Sequence, residues 1–135
     1  MDELVKRLTA TMEHKGPASK EAIAKTERSL GVQLPLDYVG FLTFSNGAEG
    51  FVGNSYLQLY PIDELATINQ EYAVSEFAPG LLIFGSDGGG TAYAYNMNSS
   101  PWTIIETPLI GLGLEEVSLC GKTLAEFLNY LYSHG

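Results

Sequence analysis

The chain has 135 residues, 45% of them apolar and 17% charged, which is typical of one globular domain, here residues 1–135, with a buried core. No apolar run reaches the roughly 20 residues that span a membrane, and the first residues lack the pattern of a signal peptide. The formal charge of −9 repels nucleic acid phosphates and anionic lipids, so we expect neither as a ligand. With a single cysteine, Cys120, these features predict a cytoplasmic protein.

The first half of the chain is predicted to form three helices and a hairpin. Apolar residues recur at helical spacing over residues 2–13 and from about residue 19, and Gly31 marks the end of the second helix. Pro35 suits the first turn of a third helix, which ends at Asn46-Gly47. Short strands are predicted at residues 51–52 and 56–60.

The second half is predicted to form one helix, then several strands, then a final helix. Pro61 opens a fourth helix through about Tyr72, and residues 81–84 form an apolar run typical of a strand covered on both faces. Thr123 begins a capping box for the last helix. Further strands are predicted at residues 91–97, 102–106 and 114–119. The order predicts an α+β fold, with helices packed on a mainly antiparallel sheet of five to six strands.

A glycine-rich segment, Ser86-Asp87-Gly88-Gly89-Gly90, joins two of these strands. A phosphate-binding loop needs a helix N-terminus after the glycines and commonly a lysine, but here a strand follows and no lysine is near. An aspartate in the loop would also repel phosphate. The pattern therefore favours a tight turn in which glycine supplies positive φ angles.

Metal and catalytic motifs are absent from the sequence. His14 and His134 are the only histidines, and neither they nor Cys120 form a cluster with zinc spacing. Ser86 beside Asp87 has no histidine within reach by any sequence argument, and no base is identifiable for Cys120, so we interpret Cys120 as structural. A carboxylate pair for glycoside hydrolysis is not singled out by any spacing. We therefore predict no cofactor, no metal and no catalytic residue.

Two tyrosines on one predicted strand allow two interpretations. Tyr93 and Tyr95 share a strand face, and Trp102 lies on the next strand. If these rings are exposed, they would form an anchor cluster for a protein partner. If they are buried, they belong to the core, which is the commoner situation for aromatic residues.

The acidic charge is concentrated in the larger part of the chain. Residues 1–28 hold six of the seven basic residues and five acids, whereas residues 29–135 hold eleven acids and only Lys122 as a base. Such a body attracts a basic partner and speeds the encounter, although charge alone is equally consistent with a role in solubility.

Three segments, in this order and spacing, resemble the SUKH superfamily, in the branch of the fungal cell-wall-assembly regulators. They are LGVQLPLDYVGFLTFSNG at residues 30–47, LYPIDEL at residues 59–65 and IFGSDGGGTAYA at residues 83–94. The closing Glu126-Phe127-Leu128 fits the last helix of that family. The resemblance covers roughly residues 18–132 and implies an α+β domain. It implies no catalytic residues, because none are established for the family.

The resemblance also implies a class of function. Bacterial members are mostly immunity proteins that bind and block a cognate polymorphic toxin, often a nuclease, and fungal members act as regulatory scaffolds. Because nuclease toxins are basic where they grip phosphate, we predict a non-enzymatic inhibitor of a basic toxin. The predicted contact surface comprises six residues: Glu49, Asp63, Glu64, Asp87, Tyr93 and Tyr95.

Two other classes of function remain open at this point. The first is an intracellular regulatory or scaffold module that holds a peptide or a small ligand against the sheet. The second is an enzyme with acid–base carboxylates, whose hydrolysis would depend on pH and on single Asp or Glu residues. The sequence leaves the oligomeric state and the identity of any toxin undetermined.

Overall fold

The fold is described here from a computed structural model that covers residues 1–135. The helices are α1 (Glu3–Leu8), α2 (Lys20–Leu30), α3 (Leu36–Phe44), α4 (Leu65–Glu71), α5 (Val74–Phe77) and α6 (Leu124–His134), with a 3₁₀ turn at Ile62–Glu64. The strands are β1 (Glu13–His14), β2 (Ala48–Val52), β3 (Ser55–Leu59), β4 (Leu81–Ser86), β5 (Thr91–Asn96), β6 (Thr103–Pro108) and β7 (Ser118–Gly121). They form one antiparallel sheet in chain order. The predicted α+β class is confirmed, and seven strands are present where five to six were predicted.

The helix boundaries that the sequence marked with capping residues are confirmed. Ser19 precedes α2, and its hydroxyl oxygen accepts a hydrogen bond from the Ala22 N–H at 3.1 Å. Gly31 ends α2 in the left-handed conformation, with φ of 71°. Thr123 caps α6, where its hydroxyl oxygen accepts from the Glu126 N–H at 3.1 Å.

Asp37 connects the N-termini of two helices. One carboxylate oxygen accepts from the Tyr38 N–H in the first turn of α3, and the other accepts from the Leu124 N–H at the start of α6, both at 2.8 Å. A negative charge is favourable at both positions because each helix has unpaired N–H groups and the positive end of its dipole there. The first contact is local to α3, whereas the second joins residues 87 positions apart and comes from the tertiary structure.

The N-terminal helix is shorter than predicted. The sequence indicated a helix over residues 2–13, but α1 ends at Leu8, and Glu13–His14 pairs with β2 as an edge strand. The Thr9 hydroxyl donates to the Val5 carbonyl oxygen at 2.7 Å at the point where the helix stops. Pairing with a sheet edge has overridden the helical periodicity, while Met12 still reaches the core.

Two further boundaries differ from the prediction. The fourth helix, predicted as continuous to Tyr72, is a 3₁₀ turn and α4, followed by the unpredicted helix α5. The last strand lies at Ser118–Gly121 and not at residues 114–119, because it pairs with β6 through Ile105↔Leu119 and Glu106↔Ser118. The register of the neighbouring strand, which the local sequence does not contain, sets this boundary.

The sheet separates two apolar cores. The main core of 24 buried residues lies between one sheet face and the helices, and includes Tyr93 and Tyr95 of β5. The smaller core of seven residues lies on the opposite face and includes Ala92 and Ala94. The predicted alternation along β5 is therefore confirmed. β4 is buried at every position, as the apolar run predicted.

Asn69 of α4 completes the hydrogen bonding of β4. β3 pairs with β4 only through Gln58↔Ser86 and Leu59↔Gly85. At Ile83, the Asn69 side-chain oxygen accepts from the backbone N–H at 2.8 Å, and its amide group donates to the backbone carbonyl at 3.0 Å. The amide group also donates to the Leu65 carbonyl at 2.8 Å. The Asn69 side chain thus takes the place of a neighbouring strand at a buried position.

Replacing Asn69 with alanine should destabilise the protein by about 2–4 kcal/mol, because a backbone donor and acceptor of β4 lose their partners. Urea denaturation of Asn69→Ala measures the change. Gln70→Ala is the control, because Gln70 is exposed and its side chain makes no hydrogen bond; it should change stability by less than about 0.5 kcal/mol. Equal losses in both variants would contradict this role.

Buried tyrosines make stability depend on alkaline pH. The hydroxyls of Tyr38 and Tyr95 are buried without a hydrogen-bond partner, and burial raises the pKa of both above the ordinary 10.0. The unfolded chain releases these protons first as the pH rises above 10, so this contribution to folding stability is complete below pH 10 and is lost above it.

Stability should therefore fall as the pH rises above 10, and Tyr38→Phe should make the fall shallower by about 1.4 kcal/mol per pH unit. Urea denaturation between pH 8 and pH 11 measures this slope. Tyr132→Phe, at an exposed position, is the matched control and should leave the slope unchanged. Identical slopes in all three proteins would contradict the effect of burial.

Candidate protein-binding surface

The two tyrosines of the predicted contact surface lie in the main core. Tyr93 is 4% exposed and packs edge-on against Phe127 of α6, with ring centroids 5.0 Å apart. Tyr95 is 2% exposed and stacks on Phe84 at 4.5 Å. Because both rings are covered by helices, the prediction that they contact a partner is corrected, and the core interpretation holds.

Glu49 lies on the face of β2 that points away from the main core. Its neighbours Ala48 and Val52 are buried, and it pairs with Gln58 on β3. Its carboxylate accepts a hydrogen bond from the Tyr56 hydroxyl at 3.0 Å. This contact, with burial and the charges of Glu49 and Glu13, raises the pKa of Tyr56.

Asp87 has a structural role in the glycine-rich turn. One of its carboxylate oxygens accepts from the Gly89 N–H at 2.8 Å and from the Thr91 N–H at 3.1 Å. Gly88, with φ of 78°, lies against the Tyr56 ring, so closely that an added Cβ would come within 2.9 Å of it. The predicted tight turn is confirmed, and it brings Asp87 to the same corner as Glu49.

An aromatic pair, with one exposed and one half-buried ring, lies beside Glu49. Phe51 is 55% exposed and pairs across the hairpin with Tyr56, with ring centroids 5.4 Å apart and nearly perpendicular planes. We call the surface formed by Glu13, Glu49, Phe51, Tyr56 and Asp87 the acidic aromatic face. The smaller core covers the same side of the sheet at β4, β5 and β6 but not at β2 and β3.

Sequence reasoning overlooked Phe51, Tyr56 and Glu13. For the first two the predicted hairpin was a partial signal, because its pairing places Phe51 opposite Tyr56, but the sequence does not say that this face is left uncovered. No local signal identified Glu13, since it reaches this face only through the pairing of β1 with β2.

The carboxylates of this face have no cationic partner. Glu13 and Glu49 lie directly opposite each other on β1 and β2, an arrangement in which like charges are destabilising. The one ion pair of the structure, Lys6 with Glu3 at 3.9 Å, lies on α1. The negative potential of the face is therefore left for solvent or for a partner.

Asp63 and Glu64 occupy a different place. Both are exposed in the 3₁₀ turn before α4, and their side chains form no hydrogen bond or ion pair. No contact connects them to the acidic aromatic face. Of the four predicted acidic contact residues, Glu49 is hydrogen-bonded to Tyr56 and Asp87 adjoins Gly88, which lies against the same ring. Asp63 and Glu64 lie apart in the 3₁₀ turn.

The remaining candidates for chemistry are held in unreactive environments. Burial and the charge of Glu106 raise the pKa of the Cys120 thiol to about 12, opposite to the shift that activates a nucleophile. The Ser86 hydroxyl accepts from the Gly88 N–H at 3.1 Å within the turn. No group of three or more His, Cys, Asp or Glu side chains could hold a metal ion. None of the helices has the length and hydrophobicity that crossing a bilayer requires.

The hydrogen bond between Tyr56 and Glu49 predicts a measurable titration. Tyr56 should ionise above pH 10, and Glu49→Gln should lower its pKa, because the change removes a negative charge next to the phenolate. NMR of ¹³C-labelled tyrosine rings measures each value, with Tyr56→Phe to assign the signal. Glu21→Gln, on the exposed side of α2, is the control and should leave the Tyr56 pKa unchanged.

Comparison with known proteins identifies the family. The sequence matches the SMI1 / KNR4 family (SUKH-1) over residues 17–130, a range that begins before α2 and ends within α6. It is also 37% identical over 91 residues to the uncharacterized protein YnaB of Bacillus subtilis (strain 168). That alignment covers 67% of this chain and 58% of YnaB, so the matched region is little more than half of the relative's length. The chain therefore belongs to the SMI1 / KNR4 family (SUKH-1).

Proposed function

We propose that this protein is a non-enzymatic, protein-binding domain that neutralises a cognate polymorphic toxin with a basic active surface, such as a nuclease. The observation that carries the proposal is the acidic aromatic face, whose carboxylates have no cationic partner and which includes the exposed ring of Phe51 packed on the half-buried ring of Tyr56. Family membership supports it, because bacterial members of this family are mostly immunity proteins.

The acidic aromatic face offers a basic partner two kinds of interaction. Uncompensated carboxylates raise the local concentration of a basic partner and can speed association by about 10- to 1000-fold, an effect that falls with salt. The exposed ring of Phe51 and the half-buried ring of Tyr56 offer rigid apolar area that can stack against lysine or arginine side chains. A nuclease that is basic where it grips phosphate would find both features complementary.

The arrangement of Glu13 opposite Glu49 also favours a binding role. Two carboxylates that face each other across a strand pair lower stability, and a basic partner would remove this repulsion on binding. Residues that cost stability without helping to pack the core are typical of functional surfaces. The exposed Asp63 and Glu64 extend the negative potential and are proposed as secondary contacts.

Identifying the partner is the first experiment. The tagged protein is used to capture binders from the lysate of its own organism at low and at high salt, followed by mass spectrometry. One stoichiometric basic protein that high salt releases is the expected result. Many weak binders that survive high salt would contradict the proposed electrostatic inhibitor.

Neutralising the acidic aromatic face should then slow association with the captured partner. Glu49→Gln combined with Asp87→Asn removes two charges, and the amide oxygen that the second change introduces can still accept the hydrogen bonds of the glycine-rich turn. We expect the association rate at low salt to fall about three- to tenfold and its salt dependence to weaken. Stopped-flow kinetics measures both quantities.

The control for this experiment is a neutralisation outside the face. Glu21→Gln removes one negative charge on the exposed side of α2. It should leave the association rate within about twofold of that of the unmodified protein. Equal rates for the double variant and the unmodified protein at all salt concentrations would contradict the proposed contact surface.

A cavity favours the second candidate, a regulatory module that binds a small ligand. A cavity of about 300 Å³ lies between α2, α4 and the start of β4, and its wall includes Leu30, Asn69 and Leu82. Its size is at the lower limit for ligand pockets. Saturable binding of a small molecule, abolished by Ala66→Trp in the cavity wall and unaffected by salt, would favour this function over toxin binding.

A further inference from the structure

An apolar groove lies at the junction of α4 and α5, apart from the acidic aromatic face. It has a volume of about 290 Å³, and its walls come from the end of α4, from α5 and from the segment after β6. Its lining residues are Glu71, Tyr72, Ala73, Phe77, Leu109, Gly111 and Leu112. We call it the α5 groove.

The rim of the α5 groove exposes an unusual amount of apolar surface. Ile110 is 91% exposed and Phe77 is 57% exposed, and Tyr72 and Leu114 are also among the exposed large apolar residues. Four of the ten exposed large apolar residues of the chain thus lie at or next to this groove. Contiguous apolar surface of this kind marks an interaction site more often than isolated exposed residues do.

The floor of the groove is anchored to the fold. Leu109 and Leu112 pack against the smaller core, which is formed by β4, β5, β6 and α5. Ala73 is the one non-glycine residue with positive φ, at 50°, and its carbonyl accepts from the N–H groups of Glu76 and Phe77 at 3.0 Å. The strained turn at Ala73 therefore fixes the direction of α5, so the groove is present before a partner binds.

Charge restricts what this groove can accept. Glu71 lines it, Glu76 precedes Phe77 on α5, and Glu115 and Glu116 follow Leu114; all four are exposed and none forms an ion pair. No basic residue occurs between Arg28 and Lys122. A second copy of this chain would place glutamates against glutamates, and an anionic lipid surface would be repelled. The complementary occupant is apolar and cationic.

We propose that the α5 groove binds an amphipathic basic helix of a partner protein. A groove of about 290 Å³ can hold one or two large apolar side chains of such a helix. The lysine or arginine residues that flank the apolar stripe would then lie beside Glu71, which lines the groove, and Glu76, which precedes the lining residue Phe77. This docking site is separate from the acidic aromatic face and does not require the partner to be a toxin.

Fluorescence anisotropy with designed peptides tests the proposal. The probe is a labelled 14-residue peptide with Leu at positions i, i+3, i+4 and i+7 and Lys elsewhere, an order that forms one apolar stripe on a helix. A Leu/Glu peptide with the same stripe and a scrambled Leu/Lys peptide are the comparisons. The ordered Leu/Lys peptide should bind about tenfold or more tightly than either.

Two matched variants of the protein locate the binding site. Ile110→Ser should weaken binding of the ordered Leu/Lys peptide about fivefold or more, because Ile110 is 91% exposed and stands in the chain between Leu109 and Gly111, which line the groove. Leu36→Ser is the control, because Leu36 on α3 is 88% exposed and Ile110 is 91% exposed. It should leave peptide binding unchanged. Both residues are so exposed that folding should not depend on them.

Three results would overturn the proposal. They are equal binding of the Leu/Glu peptide, equal effects of Ile110→Ser and Leu36→Ser, and a dimer in analytical ultracentrifugation that Ile110→Ser dissociates. Peptide binding should be unchanged in the Glu49→Gln and Asp87→Asn double variant, which separates this site from the acidic aromatic face. Failure of the peptide experiment would thus leave the proposed toxin binding unaffected, and the reverse also holds.

Discussion

The architecture depends on the burial of β4 on both faces. A strand covered on both sides needs an apolar layer above and below it, and every backbone polar group along it needs a partner. The main core and the smaller core provide the two layers. β3 is paired with β4 at two positions only. At Ile83 of β4, the Asn69 side chain provides the hydrogen bonds that a further residue of β3 would have made. The position of α4 is therefore fixed by backbone hydrogen bonding as well as by apolar packing.

The same arrangement leaves part of the sheet uncovered. α5 and the segment after β6 cover the outer side of β4, β5 and β6, whereas the hairpin of β2 and β3 stays open on that side. Uncovered sheet surface normally carries polar residues, and here it carries carboxylates without a cationic partner and the aromatic pair of Phe51 and Tyr56. α5 and the segment after β6 themselves expose apolar residues around the α5 groove. The two candidate surfaces thus follow from how one small layer covers only part of a seven-stranded sheet.

Predictions that depended on local chemistry were confirmed, whereas the end of the first helix and the position of the last strand, which depend on distant pairing, were predicted wrongly. Ser19, Gly31 and Thr123 correctly marked helix ends because a cap needs only residues within one turn. The first helix was predicted too long because the pairing of Glu13 with Glu49 joins segments far apart in the chain. α5 was missed because four residues are too few for a periodic signal to emerge.

The sequence by itself determined the α+β class, the caps, the central buried strand, the glycine-rich turn and the acidic character of the chain. Periodicity and turn chemistry involve only residues close together in the chain, and net charge is a sum over residues, so none of these features depends on the tertiary structure. Only the tertiary structure decided that Tyr93 and Tyr95 are covered and that Glu49, Tyr56 and Asp87 meet at one corner. The physical reason is that strand periodicity defines two faces of a strand but not which face a helix covers. Strand register and helix docking, which join residues far apart in the chain, make that choice.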